Sequence, residues 1–187
     1  DDLELLTAQY KSKKISVIIA LGGGSVIDSA KVLSVTLLSN EDKPLTDLFR
    51  KGLTTHWLQN IPVIALPTTA GTGAEVTPFA TVWDNQSHKK YSVLTDKIYP
   101  KFAILDSSLT LTLSQEQTLY SGLDAVSHAL ESLWNKNRTP LSELYALQAL
   151  QLLNKSLPMV MTEPHNIESR ANMLQASLLA GLAISQT

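Results

Sequence analysis

The chain has 187 residues, of which 44% are hydrophobic and 17% are charged, a composition typical of a globular protein. A formal net charge of −2 provides no basic surface for nucleic acid, and no apolar run reaches the roughly 18 residues of a membrane span. The absence of cysteine excludes a disulfide framework, a thiolate zinc site and an iron–sulfur cluster. We therefore expect a cytoplasmic protein without nucleic-acid or membrane partners.

The first half of the chain alternates strand and helix patterns. Residues 15–21 are a β-branched run typical of a strand buried on both faces of a parallel sheet. A helix pattern follows at 26–38, and the polar segment 40–60 predicts a long loop that includes one helical turn. A second buried strand is predicted at 62–67.

The second half changes from strands to helices. Residues 79–83 and 90–94 flank a turn-rich tetrapeptide and predict a hairpin, and a further strand is predicted at 102–106. Three long helical patterns follow, at 114–135, 140–157 and 167–184. Strands followed by helices predict an α/β domain over residues 1–110 and an all-helical domain over residues 111–187.

Both ends of the sequence lie within helical patterns and not in polar terminal segments. The first residues read as an amphipathic helix with Leu3, Leu5, Leu6 and Tyr10 on one side, and the last residues are an apolar stretch without a helix-stop signal. We therefore expect the central part of a longer protein, in which the parallel sheet and the helical domain are both incomplete.

Three glycines and a serine, Gly22 to Ser25, join the first predicted strand to the first predicted helix. We call them the first glycine loop. Glycines let the backbone turn tightly and approach a ligand, and the N-terminus of the following helix attracts an anion such as phosphate. Ser25 would serve as the helix N-cap or as a phosphate donor. The alternative is a turn that only joins strand to helix.

A second loop rich in threonine and glycine, residues 68–73, follows the second predicted strand. We call it the second glycine loop. By itself it would also serve as a turn that caps the next segment. The carboxyl ends of parallel strands face one crevice, where open α/β sheets bind ligands. Together the two loops therefore favour nucleotide binding.

Asp124 and His128 are spaced i and i+4 on a predicted helix, so that a carboxylate and an imidazole share one face. Such a pair can hold a divalent cation such as Fe²⁺ or Zn²⁺. The alternatives are a helical ion pair and a capping arrangement.

Taken in order, the stretches GGGSVIDSAK, PTTAGTGAEVTPFAT and LYSGLDAVSHALES resemble the iron-containing (group III, metal-dependent) alcohol dehydrogenase family. The resemblance extends from about Ile15 to the C-terminus, and the chain also resembles phosphonoacetaldehyde reductases. It implies the dehydroquinate synthase-like architecture, in which a dinucleotide-binding α/β domain precedes a helical domain and the active site lies between them.

The resemblance also implies roles for individual residues. Gly23, Gly24 and Ser25 would bind the pyrophosphate of NAD or NADP. Residues implied to contact or line the cofactor pocket are Thr68, Thr69, Thr72 and Thr77, with Phe79 beside it, Lys90 in the hairpin and Leu109 at the nicotinamide end.

Asp124 and His128 match the first two ligands of the family's metal, Fe²⁺ or Zn²⁺. The family's other two ligands are histidines further along the chain. His165 lies in a polar connection and is not counted among them, whereas His56 and His88 read as ordinary surface histidines.

The implied activity is hydride transfer between NAD(P) and a small alcohol or aldehyde, with the metal polarising the substrate oxygen. We expect the fragment itself to be inactive and the full-length protein to form a homodimer or a higher homo-oligomer. The alternatives are a nucleotide-dependent sugar-phosphate cyclase or lyase of the same superfamily and an inactive nucleotide-binding fragment.

Overall fold

An α/β part is followed by three long helices, which confirms the predicted fold class. The structure, a computed structural model, describes residues 2–51, 57–84 and 87–187. In chain order the elements are α1 (Asp2–Tyr10), β1 (Ile18–Gly22), α2 (Gly24–Thr36), α3 (Pro44–Phe49), β2 (Val63–Pro67), β3 (Phe79–Asp84), β4 (Lys89–Leu94), β5 (Phe102–Ala103), α4 (Gln115–Trp134), α5 (Pro140–Thr162) and α6 (Ile167–Ile184). Short 3-10 turns lie at Ala74–Val76, Asp96–Ile98 and Ser107–Thr110. A domain boundary between residues 110 and 111 stays a prediction.

The parallel sheet has the strand order β1-β2-β5, and β3 and β4 form a separate antiparallel hairpin. Gly22 at the end of β1 lies opposite Pro67 at the end of β2. The two glycine loops therefore leave the sheet at the same edge. Residues 85–86 of the hairpin turn lie outside the described residues.

Helix α2 covers one face of the sheet. Ala20 of β1 and Ala65 of β2 pack with Ile27 of α2 in a buried cluster. On the opposite face Ile19 and Leu21 are 65% and 55% exposed. The prediction that β1 is buried on both faces is therefore wrong. Among the described residues, no element covers the side chains of Ile19 and Leu21.

Helix α1 does not bury the apolar face that its sequence predicts. Leu5 and Tyr10 are 67% and 42% exposed, whereas Thr7 is buried. The hydroxyl oxygen of Thr7 lies 2.8 Å from that of Thr36 in α2. Leu3 packs against the core cluster next to it. The carboxylate of Glu4 also accepts the backbone N–H of Thr46 in α3 at 2.7 Å. Polar contacts with α2 and α3, together with Leu3, therefore position α1, and its apolar periodicity does not.

The three long helices begin at polar capping residues. Ser114, Thr139 and Asn166 precede α4, α5 and α6, and each side chain accepts a hydrogen bond from the backbone N–H three residues later. These caps satisfy N–H groups that have no partner within a helix, and they set the three starting points close to those predicted.

Helix α5 continues past its predicted end. Pro158 predicts that the helix stops at Leu157, but α5 extends to Thr162 with the proline inside it. Val160 is fully buried in the helical core. Tertiary packing therefore outweighs the backbone hydrogen bond that proline removes, and the predicted end was wrong.

Small residues allow the helices to pack closely. Ala125 and Ala129 of α4 and Ala149 of α5 are 0% exposed. A Cβ added at Gly122 of α4 would lie 2.7 Å from Cδ1 of Leu157 in α5. Within the described ranges no helix is both long enough and apolar enough to cross a membrane.

Two glycines attach the second glycine loop to the helices. Gly73 has a φ of 59°, and a Cβ added there would lie 2.5 Å from the Cα of Gly181 in α6. A Cβ added at Gly71 would lie 2.7 Å from the backbone oxygen of Ser121 in α4. The backbones thus meet with no side chain between them, which only glycine permits.

This contact predicts a graded response to added methyl groups. Gly73→Ala should lower the free energy of unfolding by about 2–4 kcal/mol, because the new Cβ meets backbone and the residue has a positive φ. Gly122→Ala should cost less, because its Cβ meets the flexible ends of Leu157 and Met173. Urea unfolding of both variants checks the order. Equal costs would show that the Gly73 contact relaxes easily.

Candidate functional site

The two glycine loops touch each other. The backbone N–H of Thr68 donates to the carbonyl oxygen of Gly22 at 2.9 Å. A Cβ added at Gly23 would lie 3.2 Å from Cγ2 of Thr69, and one added at Gly24 would lie 2.5 Å from Cγ2 of Thr72. The structure thus brings together two sets of predicted cofactor residues, and the expected position of both loops at one sheet edge is confirmed.

The N-terminus of α2 is the centre of the first glycine loop. Its N-cap is Gly23, which makes no side-chain capping bond, so that Ser25 is a helical residue and not the N-cap. Ser25 is exposed, and Gly22 to Gly24 are partly accessible. Uncapped N–H groups at a helix start favour an anion, which is the property a pyrophosphate site requires.

The predicted cofactor residues differ in their access to solvent. Thr68, Thr69, Thr72 and Phe79 are partly accessible. Thr77 is 0% exposed. A residue so enclosed is badly placed for direct contact with a cofactor, and its predicted role stays untested.

Lys90 lies on the exposed surface of the hairpin, with Nζ 5.8 Å from the ring centroid of Trp83. Its charge also acts on Asp28 of α2. Burial raises the pKa of Asp28, whereas the backbone N–H of Thr81 and the charges of Lys31 and Lys90 oppose that rise. The hairpin that carries Lys90 is joined to α2, because the backbone N–H of Thr81 donates to Oδ2 of Asp28 at 2.9 Å.

A cavity of about 380 Å³ extends from α2 to the hairpin. Ser25 lines it on the α2 side, and Thr81 and Trp83 line it on the β3 side. The stacked rings of Phe49 and Tyr91, whose centroids are 4.5 Å apart, also form part of its wall. Ligand-sized space therefore adjoins the first glycine loop. Leu109 lies elsewhere, half-buried in the turn that follows β5.

Lys31 of α2 is a buried cation to which the sequence pattern assigned no role. Its side chain is 0% exposed, and Nζ donates to Oγ1 of Thr77 and to the carbonyl oxygen of Phe79, both at 2.9 Å. Burial lowers the pKa of Lys31 from 10.5 to about 8, against the favourable charges of Asp28 and Glu75. The one signal in the sequence was an i, i+3 pair of opposite charges, Asp28 and Lys31, in an apolar helix.

The pair predicted to bind metal lies on one face of α4. His128 Nε2 is 3.8 Å from Asp124 Oδ1, and the side chains are 22% and 43% exposed, respectively. Nδ1 of His128 is buried and has no hydrogen-bond partner among the described residues. An imidazole with a carboxylate beside it is a donor set that suits Fe²⁺ or Zn²⁺. The two residues therefore fit part of a metal site.

The two other histidines that the structure describes, His88 and His165, do not complete this site. No group of three or more His, Cys, Asp or Glu that could hold a metal occurs within residues 2–51, 57–84 and 87–187. His165 is exposed in the turn between α5 and α6, and His88 is exposed in the hairpin turn. His56 lies outside the described residues. At least two further ligands are needed for the usual coordination number.

The metal-type pair and the second glycine loop share one helix face. Ser121, which touches Gly71, lies three residues before Asp124 and seven before His128, so that the three residues follow one another along α4. The second glycine loop therefore touches Gly24 of α2 on one side and, on the other side, the helix α4 that carries Asp124 and His128. This arrangement connects the residues predicted to bind a nucleotide with those predicted to bind a metal.

Comparison with known proteins identifies the family. Residues 1–107 match the model of the iron-containing alcohol dehydrogenases, and residues 118–187 match that of the C-terminal part of the Fe-containing alcohol dehydrogenase family. The chain belongs to the iron-containing alcohol dehydrogenase family. The family named from the three sequence motifs is thereby confirmed.

Individual relatives agree with this assignment. The chain is 36% identical over 185 residues to the probable alcohol dehydrogenase EutG of Escherichia coli K12, covering 98% of this chain and 46% of EutG. It is 34% identical over 176 residues to the NAD-dependent methanol dehydrogenase of Bacillus methanolicus, covering 94% and 45%. The crystal structure of sulfoacetaldehyde reductase from Bifidobacterium kashiwanohense in complex with NAD⁺ superposes with a TM-score of 0.90 at 34% identity, covering 97% and 48%. The chain thus spans about half the length of the relatives it matches.

The buried Lys31 predicts a pH dependence of stability. Because its pKa is lowered from 10.5 to about 8, the unfolded protein binds more protons than the folded protein between these values. The free energy of unfolding should therefore rise with pH above about 8 relative to Lys31→Met, by at most about 1.4 kcal/mol per pH unit. Denaturant titrations across this range check the difference.

Ser34→Ala is the matched control, because Ser34 is also fully buried on α2 but donates only to the Lys31 carbonyl oxygen. Its stability curve should run parallel to that of the wild type. Parallel curves for Lys31→Met as well would mean that Lys31 titrates normally.

Proposed function

We propose that the full-length protein transfers a hydride between a nicotinamide cofactor and a small alcohol or aldehyde, at a site that includes iron. The observation that carries the proposal is the position of the second glycine loop, which touches Gly24 through Thr72 and Ser121 through Gly71. One loop thus contacts both the N-terminus of α2 and the helix with Asp124 and His128. Family membership supports the same activity.

The residues have distinct tasks in this proposal. The N-terminus of α2, with Gly23, Gly24 and Ser25, binds the cofactor pyrophosphate through backbone N–H groups and the helix dipole. Hydroxyl groups of the second glycine loop orient the remainder of the cofactor, and the charge of Lys90 favours its anionic groups.

Asp124 and His128 supply two metal ligands, and the remaining ligands come from outside the described residues. The bound metal supplies Lewis-acid polarisation of the substrate oxygen. The second glycine loop contacts both α2 and α4, and it would thereby hold the cofactor and the substrate in a fixed relative position. Such positioning is what the protein contributes when the cofactor performs the chemistry.

NAD is the proposed cofactor, and iron is the proposed metal. The methanol dehydrogenase relative is named as NAD-dependent, and the sulfoacetaldehyde reductase structure contains NAD⁺. The family is named for its iron. A homo-oligomeric assembly and a cytoplasmic location stay predictions. The relatives do not favour the alternative of a sugar-phosphate cyclase or lyase.

Lys90 gives a direct test of the cofactor site. Lys90→Ala in the full-length protein should raise the dissociation constant for NADH several-fold, equivalent to about 1 kcal/mol, because an exposed charge contributes at the low end of charge-assisted hydrogen bonds. Lys89→Ala is the matched control, since Lys89 is also exposed but projects from the other face of β4. Titration calorimetry measures both, and equal affinities would remove Lys90 from the cofactor site.

The metal pair is tested by separating metal from cofactor. Asp124→Ala and His128→Ala in the full-length protein should lose bound iron and turnover, because each removes a ligand, while the affinity for NADH changes less than about twofold. Elemental analysis, NADH oxidation with an aldehyde and NADH titration measure the three properties.

His165→Ala is the control, since this histidine is exposed outside the proposed site. It should retain iron and turnover. Full turnover by a metal-free His128→Ala protein would show that Asp124 and His128 are only a structural pair and would overturn the metal-dependent mechanism.

A further inference from the structure

Three polar contacts connect α2 to the start of the hairpin. Lys31 donates to Thr77 and to the carbonyl oxygen of Phe79, both at 2.9 Å. One turn earlier, Oδ2 of Asp28 accepts the backbone N–H of Thr81 at 2.9 Å. The three bonds thus reach alternate residues 77, 79 and 81, along one side of the segment that enters β3. This segment is held by the helix that begins at the first glycine loop.

Two carboxyl groups are close enough to the buried ammonium of Lys31 to act on its charge. Its Nζ lies 3.7 Å from Oδ1 of Asp28. Glu75 is only 3% exposed, and burial raises its pKa. The charges of Asp28 and Glu75 favour the ammonium form of Lys31, and this ammonium donates to fixed acceptors on Thr77 and Phe79. A buried cation without such acceptors is strongly disfavoured.

A buried ion pair such as Lys31–Asp28 contributes little net stability. Apolar side chains of similar volume often stabilise a core as well as a buried ion pair does, because the charges lose their hydration. Hydrogen bonds, in contrast to apolar contacts, specify distance and direction. The physical consequence of Lys31 is therefore the placement of the hairpin segment relative to α2.

We propose that Lys31 is a positioning residue for the cofactor site. Through its hydrogen bonds to Thr77 and Phe79 it fixes the distance between the hairpin and the first glycine loop. The inference rests on the proposed function, since it assumes that this loop binds NAD. Lys31 itself is 0% exposed and lies behind the loop surface. Thr77, equally enclosed, transmits the position without touching the cofactor.

The test is NADH affinity in the full-length protein. Lys31→Met keeps the length of the side chain but removes the donor, and it should raise the dissociation constant for NADH about tenfold, the effect of losing about one buried hydrogen bond. The KM for the cofactor should rise in parallel, while iron content and the KM for the aldehyde stay within about twofold of wild type. A merely structural role would lower the melting temperature and leave the affinity of the folded protein unchanged.

A second pair of variants tests the acceptor. Thr77→Val removes the hydroxyl at constant shape and should reproduce the tenfold loss, whereas Thr77→Ser should restore most of the affinity. If both residues act through one bond, the double variant Lys31→Met/Thr77→Val should lose little more than either single variant. Ser34→Ala, a buried hydroxyl on the same helix without a bond to the hairpin, should bind NADH as wild type does.

The outcomes separate this inference from the proposed function. Wild-type affinity in Lys31→Met, or additive effects in the double variant, would overturn the positioning role and leave the dehydrogenase proposal standing. If Lys31→Met does not fold, equal affinity in Thr77→Val and Thr77→Ser would overturn it instead. No NADH binding by the wild-type protein would overturn the proposed function, and the positioning role with it.

Discussion

The backbone contact between Gly73 and Gly181 is the constraint on which the candidate site depends. A Cβ on either glycine would approach the other residue's Cα to within 2.5–2.8 Å, so the turn after β2 and helix α6 meet without side chains between them. That approach brings Gly71 against Ser121 and fixes the second glycine loop on α4. A wider gap would separate the loop that adjoins Gly24 from the helix that carries the carboxylate and imidazole.

Each part of the chain contains a buried cation that donates to acceptors on other segments. Lys31 is held by carboxyl groups and by acceptors on the hairpin, so its bonds run between α2 and β3. Arg170 of α6 is 2% exposed and donates to Oγ1 of Thr118 and to the carbonyl oxygen of Pro164. Burial lowers its pKa. Both cations therefore link segments that are far apart in the sequence: Lys31 links α2 to the start of the hairpin, and Arg170 links α6 to α4.

The candidate site consists of two groups of predicted residues, one for the cofactor and one for the metal. The glycine loops, the α2 N-terminus and the hairpin form a continuous region in which predicted cofactor residues such as Thr69 and Thr72 lie against Gly23 and Gly24. The metal pair contributes two donors on one helix face, and His128 keeps one buried nitrogen without a partner. The residues predicted to bind the cofactor and those predicted to bind the metal are therefore separate groups, which is why the two predictions can be tested independently.

Local features of the sequence determined most of the elements and the candidate residues. The glycine-rich turns after β-branched runs, the capping residues and the i, i+4 spacing of Asp124 and His128 depend on near neighbours, so they can be recognised without a fold. Only the tertiary structure decided that Lys31 binds Thr77, 46 residues away, that Gly73 meets Gly181, and that α5 continues through Pro158. The physical reason is that these outcomes depend on packing and desolvation between distant segments, and local periodicity does not specify which segments meet.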